Sequence, residues 1–120
     1  MAYLIHLTTF LDVRGKLTVI EKVIPFDIKR IFYIYGVDNS ERGGHRHKKA
    51  KQAAICLQGS CVINNNNGFK KDTFFLNKPD RCLLLEPQDW HKMVSFSTDA
   101  ILMVLVSEFY DMEDYIYEAY

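Results

Sequence analysis

Arg42-Gly43-Gly44-His45-Arg46-His47-Lys48 is the stretch whose reading decides this chain. Two histidines at i and i+2 on a strand point to the same face. Their imidazoles can therefore converge on one ligand or one metal. A pair turned to solvent fits the spacing equally well. Two features favour chemistry: the pair follows a glycine loop and sits in a basic cluster. Histidine titrates near neutral pH, so it can take and return a proton.

Outward from this stretch, the chain reads as short strands split by turns. Upstream, Leu17 to Ile24 is rich in β-branched residues and stops at Pro25. Arg30 to Tyr35 alternates, with Phe32 and Ile34 on one face and Tyr33 and Tyr35 on the other. Asp38 to Gly44 reads as a loop. Downstream, His45 opens a strand-like stretch to Leu57, broken by Gly59-Ser60 and resumed over Cys61 to Ile63. Asn64 to Gly68 is a turn signal, because Asn and Gly tolerate positive φ. Thr73 to Leu76, Cys82 to Leu85, Val94 to Phe96 and Ala100 to Val106 supply further strands, and Phe109 to Tyr120 reads as a helical turn or docking arm. No linker, repeat or long helical pattern is present. Regularly spaced short strands predict an all-β antiparallel barrel or jelly roll, whose interior can enclose a small ligand.

The 120 residues suit one domain, 1–120. Fifteen basic residues cancel fifteen acidic ones, so net charge gives no argument for nucleic acid or a membrane surface. Cys56, Cys61 and Cys82 are odd in number and lack C-x-x-C spacing. That favours reduced thiols in a cytoplasm over a disulfide framework. Met1 to Phe10 has no secretion signal, and the apolar run Ala100 to Val106 is too short to span a bilayer.

Gly44, His45-x-His47, Gln52 and Gly59, followed by Pro87-Gln88-Asp89-Trp90-His91, resemble the two cupin motifs. The resemblance implies a cupin-type jelly-roll barrel. Gln52 stands where metal-binding cupins carry a carboxylate, and His91 falls one residue early after the proline. A neutral amide supplies no negative charge for a divalent ion, so no metal is expected.

A closer resemblance joins Arg30-Ile31-Phe32-Tyr33-Ile34-Tyr35, Arg42 to Lys48, Leu57-x-Gly59-Ser60 and Pro87-x-x-Trp90-x-x-Met93 with Tyr110 and Asp114-Tyr115-Ile116. Asp12-x-Arg14-Gly15 and Ile24-Pro25-Phe26 fit too. Together these are similar to the sugar 3,4-ketoisomerases acting on dTDP-4-keto-6-deoxyglucose, over nearly the whole chain. Arg46 departs from the small residue usual between the two histidines.

The resemblance implies proton transfer through an enediol, with no cofactor. It implies His47 as the base at C3, His45 as the proton relay, and Tyr33 as a phenol on the enediolate oxygen. Arg42, whose fork of donors suits a diphosphate or sugar oxygen, Arg14, which matches a family site position, Tyr35, His91 at the pocket wall and Gln52, which can orient a neighbouring imidazole, are the candidate substrate-binding residues. As bare residues, Tyr33 also reads as a half-buried strand tyrosine, and Arg14 and Arg42 as solvated surface arginines. Arg14 with His91 resembles the branch giving the axial, galacto product. The implied assembly is a homodimer, with an N-terminal strand exchanged between subunits. The implied setting is bacterial surface-glycan synthesis, the product feeding an aminotransferase that makes a 3-amino-3,6-dideoxyhexose. Rival readings are a nucleotide-sugar 3,5-epimerase, a non-catalytic sugar-binding cupin and a metal cupin oxygenase.

Overall fold

In a computed structural model, all residues 1–120 are described. Apart from a 3-10 turn at Met112–Asp114, every regular element is a strand. In chain order these are β1 (Tyr3–His6), β2 (Thr8–Asp12), β3 (Gly15–Val19), β4 (Arg30–Ile34), β5 (Arg42–His47) and β6 (Gln52–Gln58). They continue with β7 (Cys61–Asn66), β8 (Lys71–Leu76), β9 (Arg81–Leu85), β10 (Trp90–Val94), β11 (Ile101–Val106) and β12 (Tyr115–Ile116). No helix is long and apolar enough to cross a membrane.

Two five-stranded antiparallel sheets, β1-β9-β6-β11-β4 and β12-β5-β10-β7-β8, make the jelly roll. The strand period of two explains how they pack. Ala54 and Cys56 of β6, Leu83 and Leu85 of β9, and Leu102, Val104 and Val106 of β11 face inward. They meet Cys61 and Ile63 of β7, Leu76 of β8 and Met93 of β10 from the other sheet. The alternate residues Ala53, Ile55, Cys82, Leu84 and Leu105 form a second cluster, on the opposite face of the first sheet. Ile20, Ile24 and Phe26 cover that cluster. The β-branched run from Leu17 therefore leaves the ladder after Val19 and continues as an irregular apolar cover.

Three other boundaries move. The stretch expected from His45 opens earlier, at Arg42 inside the expected Asp38 to Gly44 loop, and divides into β5 and β6, because residues 48–51 carry the chain from one sheet to the other. Asn64, Asn65 and Asn66 lie in β7, and the turn falls at Asn67–Lys70, closed by a bond from Asn67 N–H to the Lys70 carbonyl. The last histidine strand begins at Trp90 and ends at Val94, where the sequence suggested Val94 to Phe96.

β2 and β3 pair only with each other and belong to neither large sheet. This hairpin leaves Phe10, Leu11, Val13 and Leu17 exposed.

Candidate active site

His45 and His47 lie on the inward face of β5, with their ring centroids 5.0 Å apart. His91 on β10 is in register with His45, and these rings are 5.1 Å apart. The His47 and His91 rings are 6.3 Å apart. A β-bulge between His91 and Lys92 adjusts the pairing beside them. Gly43 makes the close approach possible: its φ is +83°, and a Cβ there would sit 2.8 Å from the His91 carbonyl oxygen.

The tail closes over this cluster. The carbonyl of Asp114 accepts the Lys48 N–H at 2.9 Å. Its carboxylate accepts the Lys49 N–H at 2.8 Å, through Oδ1. Oδ2 lies 2.9 Å from His47 Nδ1 and 3.4 Å from the Ala50 N–H. Asp111 caps the preceding turn by accepting the Glu113 N–H. Tyr115 follows in register with His47, and its ring centroid lies 4.7 Å from those of both His45 and His47.

This geometry fixes the tautomers. A carboxylate oxygen only accepts, so His47 Nδ1 carries the proton and Nε2 keeps its lone pair. His91 Nδ1 is 3.0 Å from the Asp89 carbonyl, which sets the same tautomer there. Both Nε2 atoms are buried without a partner, as is Oε1 of Gln52. Gln52 shares its strand face with Ala54 and so points between the sheets. Unpartnered buried acceptors cost about 1–3 kcal/mol each. Their retention makes the interior suited to a ligand rich in hydroxyl donors.

Burial pushes the His45 and His91 imidazoles down to about 4. Burial also lowers His47, but its bond and charge contact with Asp114 work against the drop, while Arg30 adds to it. Burial alone would raise the Asp114 carboxyl. Its bonds from Lys49 and His47 outweigh that and hold it below the usual carboxylate range. All three histidines are therefore neutral at pH 7, and His47 alone has an anion beside it to receive a proton against.

The remaining residues picked out in the sequence are placed elsewhere. Tyr33, on the outer face of β4, and Tyr35, just beyond its end, stack at 5.7 Å and are 62% and 67% exposed. Phe32 and Ile34 of that strand pack on the core instead. Within one chain the structure does not bring Tyr33 or Tyr35 to the histidines. Arg42 opens β5 and lines an exposed cleft with Asp38, Ser40 and Glu41. Arg14 sits at the tip of the β2–β3 hairpin, paired with Asp12 at 2.6 Å. It lines a cleft of about 400 Å³ with Phe10 and Leu17. Trp90 is half-buried and ties down the tail by donating from Nε1 to the Tyr117 carbonyl at 3.1 Å.

Sequence reasoning missed Asp114, Tyr115 and Arg30 as site residues. Arg30 shares the inward face of β4 with Phe32, close enough to His47 to affect its charge. Its guanidinium lies 5.1 Å from the Tyr110 ring. The Asp-Tyr-Ile run was visible, but no local pattern says that a residue 67 positions away reaches His47.

A family model described as FdtA: WxcM-like, C-terminal, matches residues 2–120. A curated TDP-4-oxo-6-deoxy-alpha-D-glucose-3,4-oxoisomerase from Aneurinibacillus thermoaerophilus is 43% identical over 115 residues, covering 93% of this chain and 83% of the relative. Among solved structures, the WlaRB TDP-quinovose 3,4-ketoisomerase from Campylobacter jejuni has a TM-score of 0.93 at 40% identity, covering 98% of this chain and 92% of its own. The WlaRA TDP-fucose-3,4-ketoisomerase from the same organism has a TM-score of 0.90 at 37% identity, covering 98% and 89%.

Proposed function

Because this chain belongs to the family described as FdtA: WxcM-like, C-terminal, we propose a mechanism for it built on the His47–Asp114 pair. The chain is a nucleotide-sugar 3,4-ketoisomerase of cupin-like fold, acting on a TDP-linked 4-keto-6-deoxyglucose. Residues 1–120 serve as one cupin domain in this reading.

The reaction moves a carbonyl from C4 to C3. His47 Nε2 removes the C3 proton, and the electron pair forms the C3–C4 double bond of an enediolate. The negative charge falls on the former C4 carbonyl oxygen. That oxygen is protonated as the C3 hydroxyl gives up its proton, and C4 is protonated on carbon. The carbonyl then stands at C3. Only protons move, so the step needs no redox partner. Asp114 stabilises the imidazolium formed on His47, as a charge-assisted hydrogen bond does. Tyr115 supplies the phenol for the enediolate oxygen, in place of the outward-facing Tyr33. Arg30 supplies positive charge nearby. His45 relays the proton to C4. His91 and Gln52 accept from sugar hydroxyls.

The observation that carries this reading is the buried, unpartnered Nε2 of His47 backed by the Asp114 carboxylate. The test is incubation with TDP-4-keto-6-deoxyglucose in heavy water. Wild type should incorporate deuterium at C3 or C4. His47→Asn should show little or none, and exchange at the wild-type rate in that variant would end the proposal. Label at C5 would indicate 3,5-epimerisation instead.

The product is assigned the galacto configuration, because the presence of both Arg14 and His91 resembles the axial-product branch of the family. Quinovose is the gluco and fucose the galacto 6-deoxyhexose, so the two similar Campylobacter enzymes, 40% and 37% identical, leave this choice to experiment. A large H4 coupling in the trapped product, typical of two axial neighbours, refutes it. The 3-keto product suits an aminotransferase that installs a 3-amino group.

The working unit is a homodimer. Its support is the unattached β2–β3 hairpin with four exposed apolar residues, and the open edge of β4 with Ile31, Tyr33 and Tyr35 exposed. A second copy would cover both and receive Arg14 from the hairpin tip. Arg42 is held to the nucleotide's diphosphate, as its fork of donors suits. The three free, buried cysteines support a reducing, cytoplasmic setting.

A further inference from the structure

We propose that Arg46 and Tyr120 form a latch that positions the catalytic base from the far side of its strand. This rests on reading His47 as the base. Neighbours on a strand face opposite ways, so Arg46 emerges on the outer face of β5 while His45 and His47 enter the barrel. There its guanidinium centre lies 4.4 Å from the centroid of the Tyr120 ring. Its Nε is buried with no hydrogen-bond partner, so the ring is what the guanidinium meets. The same ring packs on Gly68, where an added Cβ would come within 3.1 Å of it. Its hydroxyl donates to the Gln88 carbonyl at 2.7 Å.

The latch adds to the bonds at Asp114 and to the Trp90 bond on the Tyr117 carbonyl. β12 has two residues, and its ladder on β5 is limited to Tyr115 opposite His47 and Ile116 opposite Arg46. Yet this tail delivers the Asp114 carboxylate to His47 Nδ1 and the Tyr115 ring to both histidines. Gripping the tail beyond β12 holds both groups in place. It also gives a role to an arginine at a position where the family pattern has a small residue. Arg46 and Tyr120 are positioning residues and touch no substrate.

The test compares Arg46→Ala, Arg46→Lys, Tyr120→Leu and Tyr120→Phe, with melting temperature as a control for folding. Arg46→Ala and Tyr120→Leu should each lower kcat by about 3- to 10-fold, the scale of one cation–ring contact. KM should stay within about twofold. Arg46→Lys and Tyr120→Phe keep cation and ring and should recover most of kcat. The double variant Arg46→Ala/Tyr120→Leu should be no worse than either single one.

A second readout is independent of turnover. Nitrogen-15 NMR of the His47 ring in the substrate-free protein should show the Nδ1–H tautomer in wild type and a smaller fraction of it in Tyr120→Leu. Unchanged kcat and unchanged tautomer in Tyr120→Leu would overturn the latch, even if Arg46→Ala failed to fold. If His47→Asn kept full exchange, the base assignment would fall, while the tautomer measurement would still judge the latch.

Discussion

Replacing Asp114 by Asn should cost more than the loss of one charge. In the wild type, Oδ1 receives the Lys49 N–H at 2.8 Å while Oδ2 faces His47 Nδ1 at 2.9 Å. An asparagine has one acceptor oxygen to serve both. If the oxygen stays with Lys49, the amide nitrogen faces His47 and donates to Nδ1. The ring proton then moves to Nε2, and the base is lost. To keep the base, the amide must turn and give up the Lys49 bond, at about 0.5–1.5 kcal/mol, because that bond is exposed and water replaces it. The imidazolium also exchanges a charged partner for a neutral one, a further difference of about 1–1.5 kcal/mol. The sum is about 1.5–3 kcal/mol, or a fall in kcat of roughly 13- to 160-fold. Steady-state turnover followed by proton NMR measures this. The carboxylate raises the His47 pKa, so the remaining activity should keep its acid limb at lower pH than wild type. Turnover within threefold of wild type would refute the dyad.

Gly43→Ala should destabilise the fold by about 1–3 kcal/mol, because φ is +83° and the Cβ meets the His91 carbonyl; urea unfolding will measure it. His91 should make stability fall as pH drops from about 6.5 to about 4. Its folded pKa lies below the unfolded value, so the unfolded chain binds the proton first, and the total loss is about 3 kcal/mol. His91→Gln should flatten this pH dependence in denaturant titrations, and an unchanged slope would count against the burial argument. Leu11→Asp with Val13→Asp on the exposed hairpin should shift the light-scattering mass from dimer to monomer, whereas a mass unaltered by both charges would remove the hairpin from the interface.

The histidine pair was legible because a strand repeats every two residues, so His45 and His47 had to share a face. The alternation in Arg30 to Tyr35 was equally legible, but which face turned inward was not. Both faces carry bulky residues, and the purely apolar Phe32 and Ile34 take the core because burying a tyrosine hydroxyl requires a partner. The asparagine run misled for a related reason. Asn65 is wanted inside, where its amide donates to Asp89 at 2.9 Å, and Asn64 accepts from Thr73 across the ladder, so the turn is displaced toward Gly68. Asp114 and Tyr115 were out of reach because only tertiary packing joins them to β5.

The 67-residue separation of His47 from Asp114 sets an order of events during synthesis. Strands β1 to β11 leave the ribosome before the carboxylate that aims the histidine. At ordinary elongation rates of about 5–20 residues per second, roughly 3–13 s pass between the two residues. A chain stopped short of Asp114 would thus hold its histidine pair without the group that aims it.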